Sequence, residues 1–313
     1  MNDPWLSVIM PTYNGMAYLT FALDSILSQR DEDVEIIAVD DGSSDGTLAL
    51  LHAYARQLPL RIYSNSHGGN WVANTNYALN QARAPYLCFL HQDDLWLPNR
   101  LRDLRRILAR QPDTALLLHP AQYIDDRGCG LGLWRCPLKP GQQSEGLFVE
   151  RLLIQNFIAI PCPLFSRSAA MRIGGLNEHL WYTADWDFWL RLAHAGSIWY
   201  HPRPLAAFRI HTQSQTAQGV ARSEEMFRQM ETVLQEHLSY GQASASDPTE
   251  VGLVAEFSVE INHALVLAAN GGVPNWRRLT RQWFRLGLSG NRRFLRDSRI
   301  LERLGARLWA QFR

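Results

Sequence analysis

Two pairs of adjacent carboxylates stand out, Asp40-Asp41 and Asp93-Asp94, each closing a short apolar run. Neighbouring carboxylates repel, so each pair is costly unless a cation or strong hydrogen-bond donors offset the charge. Clusters that offer only oxygen favour Mg²⁺ or Mn²⁺ over zinc. A divalent ion holding a diphosphate accounts for both pairs most economically. Taken singly, Asp40-Asp41-Gly42 is also good turn sequence, and Asp94 is either a second metal contact or a helix cap, the cap being the role favoured for it. No G-x-x-x-x-G-K-[ST] segment occurs, and the first apolar run does not lead into G-x-G-x-x-G. A metal, rather than a glycine cradle, must therefore hold any diphosphate. The four cysteines form no C-x-x-C pair and have no histidine cluster beside them at zinc spacing.

Regular elements must carry these residues. Residues 6–10, 34–39, 60–63, 86–90 and 114–118 are apolar runs of strand length. Between them, helical spacing predicts helices over 17–29, 47–58, 71–82 and 98–109, the last opened by Pro98 in the first-turn position that suits proline. This alternation predicts an α/β chain with a mostly parallel sheet flanked by helices. Ligands of such sheets bind at the carboxyl ends of the strands. Those ends carry Pro11, Thr12, Tyr13 and Asn14, then Asp40 and Asp41, then residues 64–70, then His91, Gln92, Asp93 and Asp94. Residues 125–146 show no sustained period and read as a long loop, a feature that is usually functional inside a compact domain. Helical pattern returns at 146–156 and 185–195. From 223 onward the chain reads as helix, interrupted at 239–248, 271–274 and 287–291.

The chain has 313 residues, 46% hydrophobic and 19% charged, with a net charge of +1. That is enough apolar sequence for a sizeable core, which excludes wholesale disorder, and the near-neutral sum disfavours a globally basic nucleic-acid binder. The sum hides an asymmetry. Residues 273–313 hold eleven arginines against Asp297 and Glu302, a local +9, so residues 1–272 sum to −8. The N-terminal residues read as a strand rather than a secretory leader, and no transmembrane helix is expected.

SVIMPTYNG, EIIAVDDGSSDGT, NWVANTNYALNQARAPYLCFLHQDDLWLPNRL and FSRSAAMRIGGLNEHLWYTADWDFWLRLAHAGSIWYHPRPLAAFRIHTQS together resemble a family 2 glycosyltransferase of the GT-A fold, over residues 5–216. The resemblance implies a catalytic domain over 1–218, with a nucleotide-sugar half at 1–120 and an acceptor and catalytic-base half at 121–218. Residues 219–313 then form a helical, Arg-rich extension. Pro11, Thr12, Tyr13 and Asn14 match the nucleotide-binding segment, Asp40 the acceptor of a base imide N–H, and Asp41 its neighbour near the ribose. Asn76 and Gln92 fall at nucleotide-side positions. Asp93 matches the metal-ligating acid of the D-x-D motif, and Asp185 the catalytic base. Arg209 and His211 match an R-x-H segment that closes over the diphosphate, with the histidine reaching the metal.

The resemblance implies inverting single displacement, dependent on Mn²⁺ or Mg²⁺, from a nucleotide-diphosphate sugar to a glycan or lipid-linked acceptor. The donor expected is a UDP-sugar, with a dTDP-sugar as the alternative and a catalytically degenerate donor-binding subunit as the rival reading. His91, Ala184 and Thr75 depart from the family pattern, where acid, Glu and Arg are common. The setting implied is bacterial surface polysaccharide synthesis, in the cytoplasm at the inner face of the membrane.

Asp187 reads as a helix-start acid favoured by the helix dipole, and Trp181 or Trp186 as an acceptor-facing ring. In the C-terminal tail, apolar and arginine residues alternate at helical spacing, which suits an anionic membrane surface. Packing on the catalytic domain is the other reading, and nucleic acid is not an expected partner because no binding motif accompanies the charge.

Overall fold

The computed structural model describes residues 3–65, 68–212, 214, 222–243, 248–269 and 271–311. Ser66 and His67 of the third strand-end segment, and the expected boundary at 218/219, lie outside the described residues. So do the side chains of Arg307, Leu308 and Phe312 in the tail.

Strand β1 (Leu6–Thr12) is buried along its whole length, as is its parallel partner β2 (Val34–Asp40). Mostly apolar runs are what a strand needs when helices cover both faces of its sheet, and two buried exceptions, Ser7 and Glu35, bond to each other at 2.6 Å. Both belong to an eight-stranded sheet ordered β3 (Leu60–Ser64), β2, β1, β4 (Tyr86–Phe89), β10 (Leu164–Ser166), β6 (Thr114–Leu118), β11 (Ser197–Tyr200) and β9 (Gly141–Gln143). From β3 to β4 the strands run parallel, as the sequence predicts. Beyond β4 the sheet is mixed: β10 is antiparallel to both neighbours, and β9 runs against β11 at the edge.

Successive side chains on a strand point to opposite faces, so β1 and β2 feed two cores. Ile9, Ile37 and Val39 join the core of α3 (Trp71–Gln81), α5 (Glu145–Ile154) and α7 (Ala184–Ala193). Val8, Met10, Ile36 and Ala38 join that of α1 (Leu19–Leu27), α2 (Thr47–Tyr54) and α4 (Arg100–Leu108). Helix α1 buries Leu19, Ala22, Leu23 and Ile26, the one-face spacing of an amphipathic helix.

A second sheet, ordered β5 (Leu95–Trp96), β12 (Ala206–Arg209), β7 (Ala121–Ile124) and β8 (Gly130–Trp134), does the long-range positioning. The turn after β4 leads directly into β5, which pairs Leu95 with Ala207 of β12. This brings the end of β12 beside the end of β4 although more than a hundred residues separate them. The expected long loop over 125–146 is corrected here, because it holds β8, paired with β7, and β9, paired with β11. Main-chain pairing holds these strands, so their glycine-rich sequence shows no side-chain period.

A short helix, α6 (Arg167–Arg172), follows β10, and the C-terminal part is helical: α8 (Ser223–Ala243), α9 (Pro248–Ala269), α10 (Trp276–Ser298) and α11 (Ile300–Gln311). Helix α9 packs against α8, α10 and α5, and its Val251, Val254 and Phe257 continue the first core. Among the described residues, one stretch, Pro248–Ala268, is long and apolar enough to cross a membrane. Its contacts on three helices are those of a core helix. Gly287 (φ 64°, ψ −169°) breaks α10 where the sequence predicts an interruption.

Candidate active site

The ends of β1 and β2 are tied into one unit. Asp40 is buried, and its carboxylate accepts from the Ser43 N–H at 3.0 Å, the Ser43 hydroxyl at 2.6 Å and the Thr12 hydroxyl at 3.2 Å. A carboxylate has about four lone-pair positions, so one is left for a ligand N–H. Asn14 takes up a left-handed backbone (φ 45°), and its side chain accepts from the Ser44 N–H at 2.9 Å. Asp41 accepts from the Gly69 N–H at 2.6 Å, which draws the β3 loop onto the same rim. Gln92 pairs with both main-chain groups of Tyr13, at 2.9 and 3.0 Å. A Cβ at Gly15 would lie 2.3 Å from Gln92 Oε1, so this join needs glycine. The Tyr13 ring is left exposed above the group.

At the end of β4, Asp93 Oδ2 lies 3.0 Å from His211 Nε2. Burial alone would raise the Asp93 carboxyl, but the His211 contact and the nearby His91 outweigh it and hold it below its ordinary value. Asp94 is corrected from helix cap to buried acceptor: β5 follows it directly, the N-cap position of α4 is Asn99, and its Oδ1 takes the Arg209 N–H at 3.0 Å. Burial, then the charge of Asp93, pushes its carboxyl well above the usual range.

Arg209, expected to close over a diphosphate, is itself buried. Its guanidinium donates to the carbonyls of Asp93 at 2.9 Å, Asp125 at 2.7 Å and Asp126 at 3.0 Å, and lies over the rings of Tyr18 and Phe21. It fastens three chain segments together and is not free to swing. Tyr18 also packs edge-on against His211, with ring centroids 4.7 Å apart.

Asp185 begins α7. Its Oδ2 accepts from Asn156 Nδ2 at 3.0 Å and its Oδ1 from the Trp186 N–H at 2.8 Å. Burial raises its carboxyl to about 6 despite these donors. Trp186, expected as one of two acceptor-facing rings, is buried in the first core with its indole N–H on the Leu152 carbonyl at 2.7 Å. Trp181 is half-buried and donates to Glu225 at 2.7 Å, while Arg222 lies over its ring at 5.7 Å. Gln229 accepts from the N–H groups of Trp181 and Tyr182 at 3.1 and 2.9 Å, so α8 holds the segment just before Asp185.

Asp187 lies in the first turn of α7, as expected of a helix-start acid, and is in addition a buried ion-pair centre. Arg191 reaches its Oδ2 at 2.9 and 2.7 Å, and His237 of α8 its Oδ1 at 2.9 Å. Burial would raise this carboxyl, but the His237 and Arg191 contacts lower it. Asp187, Glu236 and His237 form a group whose ligand atoms lie within 4.8 Å of one another. The Arg191 charge already on Asp187 makes it a poor place for a cation.

Asn76, expected at the nucleotide, is committed to the protein. It accepts from the Leu176 N–H at 2.8 Å and donates to the Leu176 carbonyl and to Glu178, both at 2.9 Å. The three family departures each have a local setting. Thr75 is buried and bonds back to the Trp71 carbonyl, Ala184 is fully buried, and His91 packs edge-on against Trp71. Ser43, Gly69, Tyr18, Asn156 and Gln229 were not singled out from the sequence. Gly69, Tyr18, Asn156 and Gln229 have partners far off in sequence, and Ser43 bonds Asp40 three residues back inside a turn, so no local period marks any of them.

The model of glycosyl transferase family 2 matches residues 7–174, and the chain belongs to that family, a family of enzymes. An uncharacterised glycosyltransferase of Rickettsia typhi is 28% identical over 227 residues, 71% of this chain and 69% of that protein. One of Haemophilus influenzae is 24% identical over 67% of each chain. Among solved structures, S. aureus TarS 1–349 in complex with UDP-GlcNAc superimposes with a TM-score of 0.59 at 18% identity, over 90% of this chain and 92% of that one. The mannosyltransferase PcManGT from Pyrobaculum calidifontis, with GDP-Man and Mn²⁺, gives 0.57 at 17% identity over 99% and 88%. The fold is GT-A-like, a mixed α/β sheet with a C-terminal helical region.

Proposed function

We propose that this glycosyltransferase is metal-dependent and inverting, and moves a sugar from a nucleotide-diphosphate donor, a UDP-sugar in the first instance, to a hydroxyl of a glycan or lipid-linked acceptor. The observation that carries this reading is the 3.0 Å approach of His211 to Asp93. One carboxylate and one imidazole form a mixed O,N donor pair, softer than an all-oxygen set, which suits Mn²⁺ better than Mg²⁺. Around it, His91 Nε2, His211 Nδ1 and Arg209 Nη2 are buried with no partner among the described residues. Buried polar atoms are normally satisfied, so this cluster fits a site that a charged ligand completes. Asp93 and His211 would hold a divalent ion, which would supply positive charge against the leaving diphosphate.

The chain's own residues do the rest. Tyr13 offers a ring for the base and Asp40 a free acceptor position for its imide N–H, a group that uracil and thymine share. The dTDP-sugar alternative therefore stays open at this site. Asp185 takes the proton of the acceptor hydroxyl as that oxygen attacks the anomeric carbon and the bond to the diphosphate breaks. A carboxyl near 6 is ionised at neutral pH yet basic enough for this step. Trp181, residues 125–160 and the C-terminal helices border the acceptor side. The role proposed is in bacterial surface polysaccharide synthesis.

The test is thermal stability of the protein against UDP-, dTDP- and GDP-sugars, each with and without Mn²⁺. A metal-requiring shift with one donor, absent in Asp93→Ala and kept in Asp185→Ala, is expected. A folded protein that shifts with none of them overturns the reading.

A further inference from the structure

Two sets of arginines stand out in the tail. Arg278 pairs with Glu260, Arg293 with Glu250, Arg296 with Asp297, and Arg299 with Glu302 inside the helical region, and Arg293 also reaches Glu150 of α5. Arg277, Arg281 and Arg285 are exposed and make no ion pair among the described residues. They recur every fourth residue, so they form one row along α10.

Beside this row runs an apolar one. Leu279 is buried, and Trp283 and Leu286 pack against the first core, so the inward face of α10 is complete. Trp276 and Phe284 nevertheless point outward, 55% and 77% exposed, with Leu288 at 80% just past the Gly287 break and Val273 at 85% just before the helix. Large apolar side chains that serve no core and are concentrated in one short stretch of chain mark an interaction surface. At 100° per residue, the buried edge, the exposed apolar edge and the arginine row follow one another around the helix. No acidic residue occurs between Val273 and Arg296. A row of unpaired guanidinium groups beside exposed Trp and Phe, with no carboxylate to repel an anion, matches anionic headgroups over acyl chains.

We propose that Val273, Trp276, Phe284 and Leu288, with Arg277, Arg281 and Arg285, form a docking face for an anionic lipid bilayer, the part of α10 before Gly287 lying in the headgroup plane. The inference does not rest on the donor or base assignments, and its failure leaves them standing. The basic tail then serves two purposes, since one set of arginines builds the helical region and the other meets the membrane.

The test is co-sedimentation of the full chain with vesicles of phosphatidylcholine alone and of phosphatidylcholine with phosphatidylglycerol, at low and high salt. Binding only to the anionic vesicles, weakened by salt, is expected. Each surface arginine contributes roughly fivefold, so Arg277→Gln/Arg281→Gln/Arg285→Gln should bind about a hundredfold more weakly. Phe284→Ser/Leu288→Ser should lose roughly tenfold or more. Both variants alter exposed side chains, so their melting temperatures should match the parent and separate lost docking from lost folding. Equal binding to both vesicle types, or none to either, overturns the proposal. So does a doubled solution mass that Phe284→Ser/Leu288→Ser abolishes, which would assign the face to a second copy of the chain.

Discussion

Asn156 donates to Asp185 across 3.0 Å, joining the end of α5 to the start of α7. The residue before it, Gln155, accepts from Arg303 of α11 at 2.6 Å and Asn262 of α9 at 3.0 Å. The carboxyl proposed as catalytic base is therefore oriented by a side chain whose backbone neighbour is held by the C-terminal helices. The helical extension is part of the support of the site rather than an appendage to it.

Turnover should rise with pH through about 6 and level off above, because Asp185 acts as a base only when ionised. Asn156 donates to the ionised form and so lowers the pKa that burial has raised. Asn156→Ala should therefore move the acidic limb of the pH–rate profile to higher pH, with activity recovering in alkaline buffer. Asp185→Asn should cost roughly 10²–10⁴-fold in turnover and leave donor binding intact. The stability sign is also fixed. A carboxyl raised in the folded state favours its protonated form, so stability is lost as pH rises through about 6. Asparagine never ionises, so Asp185→Asn should melt no lower than the parent at pH 8, as a pH series of melting curves will show.

Chelation should weaken donor binding, and Asp93→Ala should abolish the effect of added Mn²⁺. Loss of an outer-sphere partner alone costs metal affinity about 10–100-fold, so His211→Ala, if His211 is a direct ligand, should cost at least that. Calorimetric titration of donor at fixed Mn²⁺ checks both variants.

Arg209→Met should destabilise the fold by about 3 kcal/mol or more, since three carbonyls lose their donor inside the protein. Denaturant unfolding measures this. An unchanged unfolding midpoint together with a raised donor KM would instead return Arg209 to a ligand-closing role.

Asn76→Ala should lower stability by roughly 1–2 kcal/mol and leave donor affinity unchanged, because its partners are Leu176 and Glu178. Gly175→Ala should disturb the same clamp: its φ is +73°, and a Cβ there would lie 2.6 Å from Asn76 Oδ1. Parallel unfolding and donor-binding curves separate the two effects.

The strands from β1 to β4 and the helices between them were legible because continuous burial and one-face helical spacing both leave a local record. The clustering of Asp40, Asp41 and Asp93 at strand ends was legible for the same reason. β8 and β9 left none, since glycine-rich strands are held by main-chain bonds. Three-residue β10 is too short to carry a period, and its reversed direction is set by its neighbours. Arg209 and Asn76 show a different limit. Their residue types suit a ligand, but their partners are main-chain groups, which no side-chain pattern announces. Trp186 likewise fills the core as its position in α7 dictates.

The most direct test of the central claim is the anomeric configuration of the sugar first released when water replaces the acceptor. The donor selected by the binding panel would be hydrolysed in the presence of Mn²⁺ and followed by proton NMR before mutarotation. Single displacement assisted by Asp185 predicts that the opposite anomer to that of the donor appears first, and that Asp185→Asn suppresses it. Release of the retained anomer, or undiminished release by Asp185→Asn, would contradict the account.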